Sequence, residues 1–131
     1  MELDHVGIAV ERLGPALARW RPVTGGAEGA PEEVPGQGVR VAFLSTGAVD
    51  VELLEPLGPE SPVGRFLARR GEGVHHLAFR VPSVDAALRG VLDRGEQVVD
   101  RVARPGARGR KVGFAHPSAF GGVLVEFVEH P

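Results

Sequence analysis

The sequence predicts an α+β fold in which two tandem β-α-β-β-β modules form a cupped, partly open eight-stranded mixed sheet with helices on its outer face. Two matches between the half-chains support this prediction. At an offset of 71 positions, LDHVGIAV at 3–10 lies over VHHLAFRV at 74–81, and VAF at 41–43 lies over VGF at 112–114. A repeated order of elements at a fixed offset is typical of a duplicated structural unit.

Each module opens with a strand that is followed by a helix. The strands at 3–10 and 74–81 alternate in polarity with the period of a β-strand. The helices are predicted from apolar residues at helical spacing, which are Leu13, Ala16, Leu17 and Trp20 in one module and Val84, Ala87, Leu88, Val91 and Leu92 in the other. Ser83 is placed to cap the second helix and Gly95 to end it, while Pro15 suits the opening turn of the first.

Three further strands are predicted to complete each module. The first module has them near 27–34, at 41–43 and at 51–55, and the second has them near 96–102, at 112–114 and at 125–129. The last strands are VELLE and VEFVE, which match after a shift of three residues. Gly-rich turns separate these strands, as expected for short connections within a sheet.

We expect the chain to be one domain over 1–131. Module one takes about 1–55, a connector takes 56–73, and module two takes about 74–131. Within the connector, Ser61-Pro62 is a helix-start signal leading to Phe66 and Leu67, so a short linking helix is predicted.

Composition limits the classes of function. The net charge of -2 with 43% hydrophobic residues indicates neither a nucleic-acid partner nor an anionic membrane surface. The chain has no cysteine, so disulfides, thiolate metal sites and cysteine nucleophiles are excluded, leaving imidazole and carboxylate as the metal ligands to consider. No signal peptide or membrane span is recognisable, so the cytoplasm is the expected location.

Four polar residues fall on equivalent positions of the two modules. Side chains alternate between the faces of a strand, so His5 and His76 are predicted to lie opposite the helices, and so are Glu52 and Glu126. His75 takes the other parity, with apolar neighbours, so we expect it to pack rather than to bind.

Two imidazoles and two carboxylates on one concave surface suit a divalent first-row metal ion. A single histidine or glutamate in a strand is more often structural or solvated than a ligand. Four coincident positions in a duplicated pattern favour the ligand interpretation, and we therefore predict one metal site made of His5, Glu52, His76 and Glu126.

The residues in these segments resemble the methylmalonyl-CoA epimerases of the vicinal oxygen chelate superfamily. The resemblance covers the whole chain, and ELLEPLGPESPVGRFL at 52–67 is its most specific motif. It implies one divalent ion per site, Co²⁺ or Mn²⁺ with Ni²⁺ or Zn²⁺ as further candidates, a coenzyme A thioester substrate and a homodimer. His5, Glu52, His76 and Glu126 match the family's metal-ligand positions.

The resemblance also implies a reaction, in which the (R) and (S) forms of methylmalonyl-CoA interconvert by α-proton removal and return through a metal-stabilised enolate. Glu126 is implied as one acid/base. Some family members use a third-strand glutamate as the other, but Val41 stands at that position here. Glu52, a water molecule or another polar side chain could take this role.

Basic residues after the second helix are candidate contacts for the phosphates of coenzyme A, because guanidinium groups bind phosphate in a bidentate manner. The candidates are Arg104, Arg108, Arg110 and Lys111. A solvated basic loop is the alternative. His116, in a family-like F-x-H-P stretch, could contact substrate or could only hold the turn before Pro117.

Other functions on the same scaffold stay open. A glyoxalase I-like isomerase would use the same four ligands on a glutathione hemithioacetal, although the connector motif argues against it. A ring-cleaving dioxygenase is disfavoured because the chain has no tyrosine and Glu52 would be surplus. A metal-free small-molecule-binding protein of this fold would not need all four ligand positions filled.

Overall fold

The computed structural model of this protein describes residues 1–26 and 29–131. These residues contain three α-helices, which are α1 (Leu13–Thr24), α2 (Pro62–Arg70) and α3 (Val84–Asp93). They also contain eight strands, which are β1 (Glu2–Ala9), β2 (Glu32–Val34), β3 (Val39–Ser45), β4 (Asp50–Pro56), β5 (Gly73–Arg80), β6 (Arg104–Pro105), β7 (Lys111–Ala115) and β8 (Val125–Glu129). The order β-α-β-β-β therefore occurs twice, as the sequence predicts.

The chain divides into two compact units. We call His5–His75 the first unit, and Met1–Asp4 together with His76–Pro131 the second unit. That the two modules make up one domain stays a prediction.

The first unit has a mixed sheet with the strand order β2-β3-β4-β1, in which β1 and β4 are parallel and the other pairs are antiparallel. One face packs on α1 through a buried cluster that includes Ile8, Leu13, Leu17, Leu44 and Leu53. Burying an aliphatic side chain of this size contributes about 1.5–3 kcal/mol. The apolar face of β1 meets the helix, so the predicted assignment of its faces is confirmed.

The second unit repeats the arrangement with the strand order β5-β8-β7-β6. Here β5 and β8 are parallel, and α3 places Val84, Leu88 and Val91 against Val125 and Phe127 of β8. A side chain on Gly113 would collide with this helix, because a Cβ there would lie 2.8 Å from Leu88 Cδ1. Each unit therefore keeps one sheet face for a helix and the other for polar residues.

The N-termini of α1 and α3 are each capped by a glutamate from the end of a strand. Glu55 Oε2 accepts a hydrogen bond from the backbone N–H of Leu13 at 2.7 Å, and Glu129 Oε1 accepts one from that of Val84 at 3.0 Å. Negative charge at a helix N-terminus satisfies donors that lack intrahelical partners. The hydroxyl of Ser83 also accepts from the N–H of Ala86, which confirms the predicted cap.

The linking helix α2 begins as predicted. Ser61 Oγ accepts a hydrogen bond from the N–H of Gly64 at 3.1 Å, and Pro62 is the first helical residue. Val63 and Leu67 are buried, so the helix is held by its apolar side.

Two predicted strands differ from the structure. The strand expected near 27–34 is Glu32–Val34, and residues 27 and 28 lie outside the described residues. The prediction of a strand near 96–102 is wrong. Residue 98 forms only an isolated bridge, and the edge strand of this unit lies further along the chain, at Arg104–Pro105. The cause is Asp100, whose Oδ2 accepts from the N–H of Phe114 at 2.9 Å in place of a backbone partner.

Across the part of the chain that the structure describes, none of the helices combines the length and the apolar character needed to cross a membrane.

Candidate functional site

In the first unit, a histidine and a glutamate meet on the sheet face opposite α1. His5 Nε2 lies 3.2 Å from Glu52 Oε1, and the two residues are only 3% and 5% exposed. The parallel register places Gly7 directly beside Glu52. Because Gly7 has no side chain, the imidazole and the carboxylate can approach each other over it.

The second unit repeats this contact. His76 Nε2 lies 3.2 Å from Glu126 Oε1, and the two residues are 2% and 4% exposed. Ala78 stands beside Glu126 in the parallel register, as Gly7 stands beside Glu52 in the first unit. The predicted parity of all four residues agrees with these positions.

A phenylalanine packs edge-on against each histidine. The ring centroids of His5 and Phe43 are 5.5 Å apart with planes at 89°, and those of His76 and Phe114 are 5.6 Å apart with planes at 85°. Such T-shaped contacts are favourable because the ring edge meets the electron-rich face. They leave each imidazole little freedom to turn away from its glutamate.

The chemistry of these pairs fits a divalent metal ion. A buried carboxylate is unfavourable unless charge or hydrogen bonds compensate it. Two ligands at about 2.1 Å from one ion, at roughly 90–110° to each other, have donor atoms about 3.0–3.4 Å apart. The 3.2 Å between imidazole nitrogen and carboxylate oxygen in each pair lies in that range. Among the residues that the structure describes, His5, Glu52, His76 and Glu126 could therefore provide ligands to an ion.

His75 occupies a different environment from His76. Its ring packs against Phe66 of α2 with centroids 5.0 Å apart and planes at 73°, and the residue is half-buried. The adjacent histidines therefore have separate partners, as expected from their opposite parity.

The candidate phosphate contacts have dissimilar surroundings. Arg108 and Lys111 are exposed. Arg110 Nη1 lies 3.2 Å from Asp4 Oδ2, and the other oxygen of Asp4 lies 2.6 Å from His130 Nε2. This three-residue contact was not predicted, because Asp4 lies more than 100 positions from both Arg110 and His130 and no local pattern joins them.

Arg104 is half-buried, unlike the exposed Arg108 and Lys111. Its Nε forms an ion pair with Asp100 Oδ1 at 3.2 Å, and its guanidinium carbon lies 5.7 Å from the centroid of Phe114. Phe114 is the ring that contacts His76.

His116 holds a turn. Its Nδ1 accepts a hydrogen bond from the N–H of Ser118 at 3.1 Å, at the start of a 3₁₀ turn over Pro117–Phe120. Of the two sequence interpretations of His116, the structure shows the turn contact, while contact with substrate stays a prediction.

Val41 is buried at 1% exposure and shares a strand face with Phe43. Its alternation with Ala42, which packs towards α1, places it on the same face as Glu52. An apolar side chain thus stands on the face of the candidate site, at the position where the resemblance implies a glutamate in some family members.

Comparison with known proteins gives one consistent result. Residues 4–114 match the family model described as Glyoxalase/Bleomycin resistance protein/Dioxygenase superfamily, which confirms the predicted fold class. The chain is 39% identical over 126 residues to an ethylmalonyl-CoA/methylmalonyl-CoA epimerase of Cereibacter sphaeroides, covering 95% of this chain and 94% of that protein.

Solved structures agree. Methylmalonyl-CoA epimerase from Mycobacterium tuberculosis superposes with a TM-score of 0.93 at 37% identity, covering 99% of this chain and 88% of that one. A substituted methylmalonyl-CoA epimerase of Streptomyces coelicolor, in complex with 2-nitronate-propionyl-CoA, superposes with a TM-score of 0.92 at 38% identity, covering 98% of this chain and 96% of that one.

Separate substitutions of the adjacent histidines test the candidate site. We expect His76→Ala to lose bound metal, because it removes one nitrogen donor from the buried pair. His75→Ala should keep its metal and lose about 0.5–1.5 kcal/mol of unfolding free energy with the Phe66 contact. Elemental analysis and urea unfolding of both variants check this. Metal that survives the first change and falls with the second would show that the strand faces are misassigned.

Proposed function

We propose, since this chain belongs to the methylmalonyl-CoA epimerase family of the glyoxalase/bleomycin resistance protein/dioxygenase superfamily, that it is a metal-dependent isomerase interconverting (R)- and (S)-methylmalonyl-CoA. The observation that carries the proposal is the buried His–Glu contact at 3.2 Å in each unit. Relatives named as epimerases over nearly the whole chain supply the substrate class.

We propose that His5, Glu52, His76 and Glu126 bind one divalent ion. Two nitrogen and two oxygen donors suit Co²⁺ or Mn²⁺, and Ni²⁺ or Zn²⁺ are also compatible with imidazole and carboxylate ligands. Such an ion, when bound, supplies Lewis-acid chemistry that draws negative charge from an acyl oxygen. The role of the chain is to keep the four donors oriented and shielded from bulk water, which their low exposure supports.

The substrate defines what the protein groups must do. In methylmalonyl-CoA the reacting carbon carries one hydrogen between a thioester and a carboxylate. Breaking that C–H bond leaves its electron pair delocalised into the thioester as an enolate. Inversion follows when a proton is delivered to the opposite face of the carbon, so acid/base groups are needed on both faces.

We propose Glu126 as one of these groups. Its carboxylate would take the α-proton, and the neighbouring imidazole of His76 and the packed ring of Phe114 would hold it in place. Glu52 has the equivalent environment in the first unit, beside His5 and opposite Phe43, and is our candidate for the second acid/base. Val41 has no titratable group, so it cannot fill that role.

Contacts with the coenzyme A portion are assigned by exposure. Arg108 and Lys111 are exposed and are proposed to contact phosphate. Arg110 would do so while keeping its contact with Asp4, and His116 would contact substrate from the turn that it holds.

We also propose a homodimer, as the family resemblance implies. Three exposed apolar side chains support this, because Met1, Phe120 and Val123 line one cavity of about 530 Å³ in the second unit. Exposed apolar surface of this kind is typical of protein–protein contacts, and a second copy of the chain is the partner that we propose. Val123→Asp should convert the dimer to a monomer in analytical sedimentation, because it places a charge in the apolar contact. A wild-type protein that sediments as a monomer would contradict the proposed homodimer.

A cytoplasmic location is proposed because a coenzyme A thioester substrate requires a compartment that contains coenzyme A.

A glyoxalase I-like isomerase is the second candidate function, since it would use the same donors, but relatives named as epimerases do not favour it. The metal-free binding protein is disfavoured by the buried His–Glu pairs.

Proton exchange tests the function. With metal-loaded protein in deuterated water, ¹H NMR should show loss of the α-proton signal of methylmalonyl-CoA together with formation of the other epimer. Glu126→Gln should slow this exchange by at least about 100-fold, because an amide cannot accept the proton. Metal content is measured on the same samples, so that loss of the ion is distinguished from loss of the base.

Glu129→Gln is the matched control, since Glu129 lies on the same strand but caps α3. It should retain exchange and lose only stability. Near-normal exchange in Glu126→Gln would contradict the role of Glu126, and no exchange in the wild-type, metal-loaded protein would contradict the proposed function.

A further inference from the structure

A fixed guanidinium lies in the second unit beside the ring that contacts His76. Asp100 uses both carboxylate oxygens there. Oδ1 pairs with Arg104 Nε at 3.2 Å, and Oδ2 accepts from the N–H of Phe114 at 2.9 Å. The Arg104 guanidinium also lies over the Phe114 ring at 5.7 Å. Asp100 therefore ties the arginine to the strand that carries the ring.

Arg104 lies on the same sheet face as His76 and Glu126. It stands opposite Val112 in the β6–β7 register, and Phe114 stands opposite Glu126 in the β7–β8 register. Residues two apart on a strand project from one face, so Val112 and Phe114 share a face. Val112 packs with Ala78 and Val128, away from the cluster on α3. The arginine is thus on the edge strand of the sheet, and it lies on the face that carries His76 and Glu126.

The surroundings of Arg104 suit recognition of a small anion. Its side chain is 33% exposed, so a ligand can reach it, and Asp100 and Phe114 restrict its motion. A planar guanidinium matches a carboxylate through two parallel N–H···O bonds. Holding the fork in place beforehand reduces the entropy lost on binding.

The substrate offers two kinds of anion at its two ends. The free carboxylate is bonded to the reacting carbon, whereas the phosphates lie at the far end of the coenzyme A arm. Arg104 is separated from His76 by a single aromatic ring, which is close to the reacting end. Arg108 and Lys111 are exposed to solvent, as a contact with the far phosphates requires.

We propose that Arg104, oriented by Asp100 and Phe114, binds the free carboxylate of the substrate and makes the site selective for thioesters of 2-substituted malonic acids. This inference rests on the proposed function. It assigns to Arg104 a role different from the phosphate contact that the sequence predicts.

Binding of two thioesters tests this role. Isothermal titration of metal-loaded protein with methylmalonyl-CoA and with propionyl-CoA, which lacks the free carboxylate, isolates the contribution of that group. Arg104→Met should weaken methylmalonyl-CoA by about 10- to 100-fold, the range for a charge-assisted hydrogen-bonded contact, and leave propionyl-CoA unchanged. Arg104→Lys should lie between, because it keeps the charge and loses the fork.

Arg101→Met is the matched control, because Arg101 is an exposed arginine in the same segment. It should leave both affinities unchanged. Should Arg104→Met fail to fold, Arg104→Lys and Asp100→Asn provide the same comparison, with selective weakening of methylmalonyl-CoA expected in each.

Equal weakening of both thioesters would overturn the inference, because Arg104 would then contact the coenzyme A portion. Unchanged binding of methylmalonyl-CoA would overturn it as well. Failure of the proposed function is a separate result, since the wild-type protein would then neither bind methylmalonyl-CoA nor exchange its α-proton.

Discussion

The structure of each unit depends on burying a carboxylate next to an imidazole. Removing an unpaired carboxylate from water is unfavourable by on the order of several kcal/mol, so a buried glutamate needs a partner at hydrogen-bonding distance or a cation. The fold supplies this by placing the histidine and glutamate on neighbouring parallel strands, with Gly7 or Ala78 between them. Phe43 and Phe114 then hold the imidazoles from the side. The same requirement makes each pair a natural ligand set for a divalent ion.

Parallel pairing of the first and last strand also explains the shape of the module. Parallel neighbours need a long crossover, and here the helix and two antiparallel strands provide it. The last strand of each module then contributes functional side chains to both faces of the sheet. In VELLE and VEFVE the first glutamate points to the polar face, while the last one, three residues on, caps the helix. One five-residue segment therefore contributes a candidate metal ligand and the start of the packed helix.

Strand periodicity and duplication were enough to predict the repeated β-α-β-β-β order, the faces of β1, β4, β5 and β8, and the separation of His76 from His75. Contacts between distant positions could not be predicted this way. Asp100 pairs with Arg104 and caps Phe114, and it also replaces the backbone partner of a strand expected near 96–102. The helix-capping role of Glu55 and Glu129 was not predicted either, although VELLE and VEFVE both end in a glutamate and this repetition could have indicated it.

The central claim is that the two His–Glu pairs serve one ion together. Metal-free protein is titrated with Co²⁺, and calorimetry together with the visible absorption of the bound ion gives the number of ions bound per chain. One shared ion predicts a single equivalent of tightly bound Co²⁺ per chain, and the loss of that equivalent when either His5 or His76 is replaced. Two independent equivalents per chain, with one surviving each replacement, would contradict it, as would the absence of tight binding.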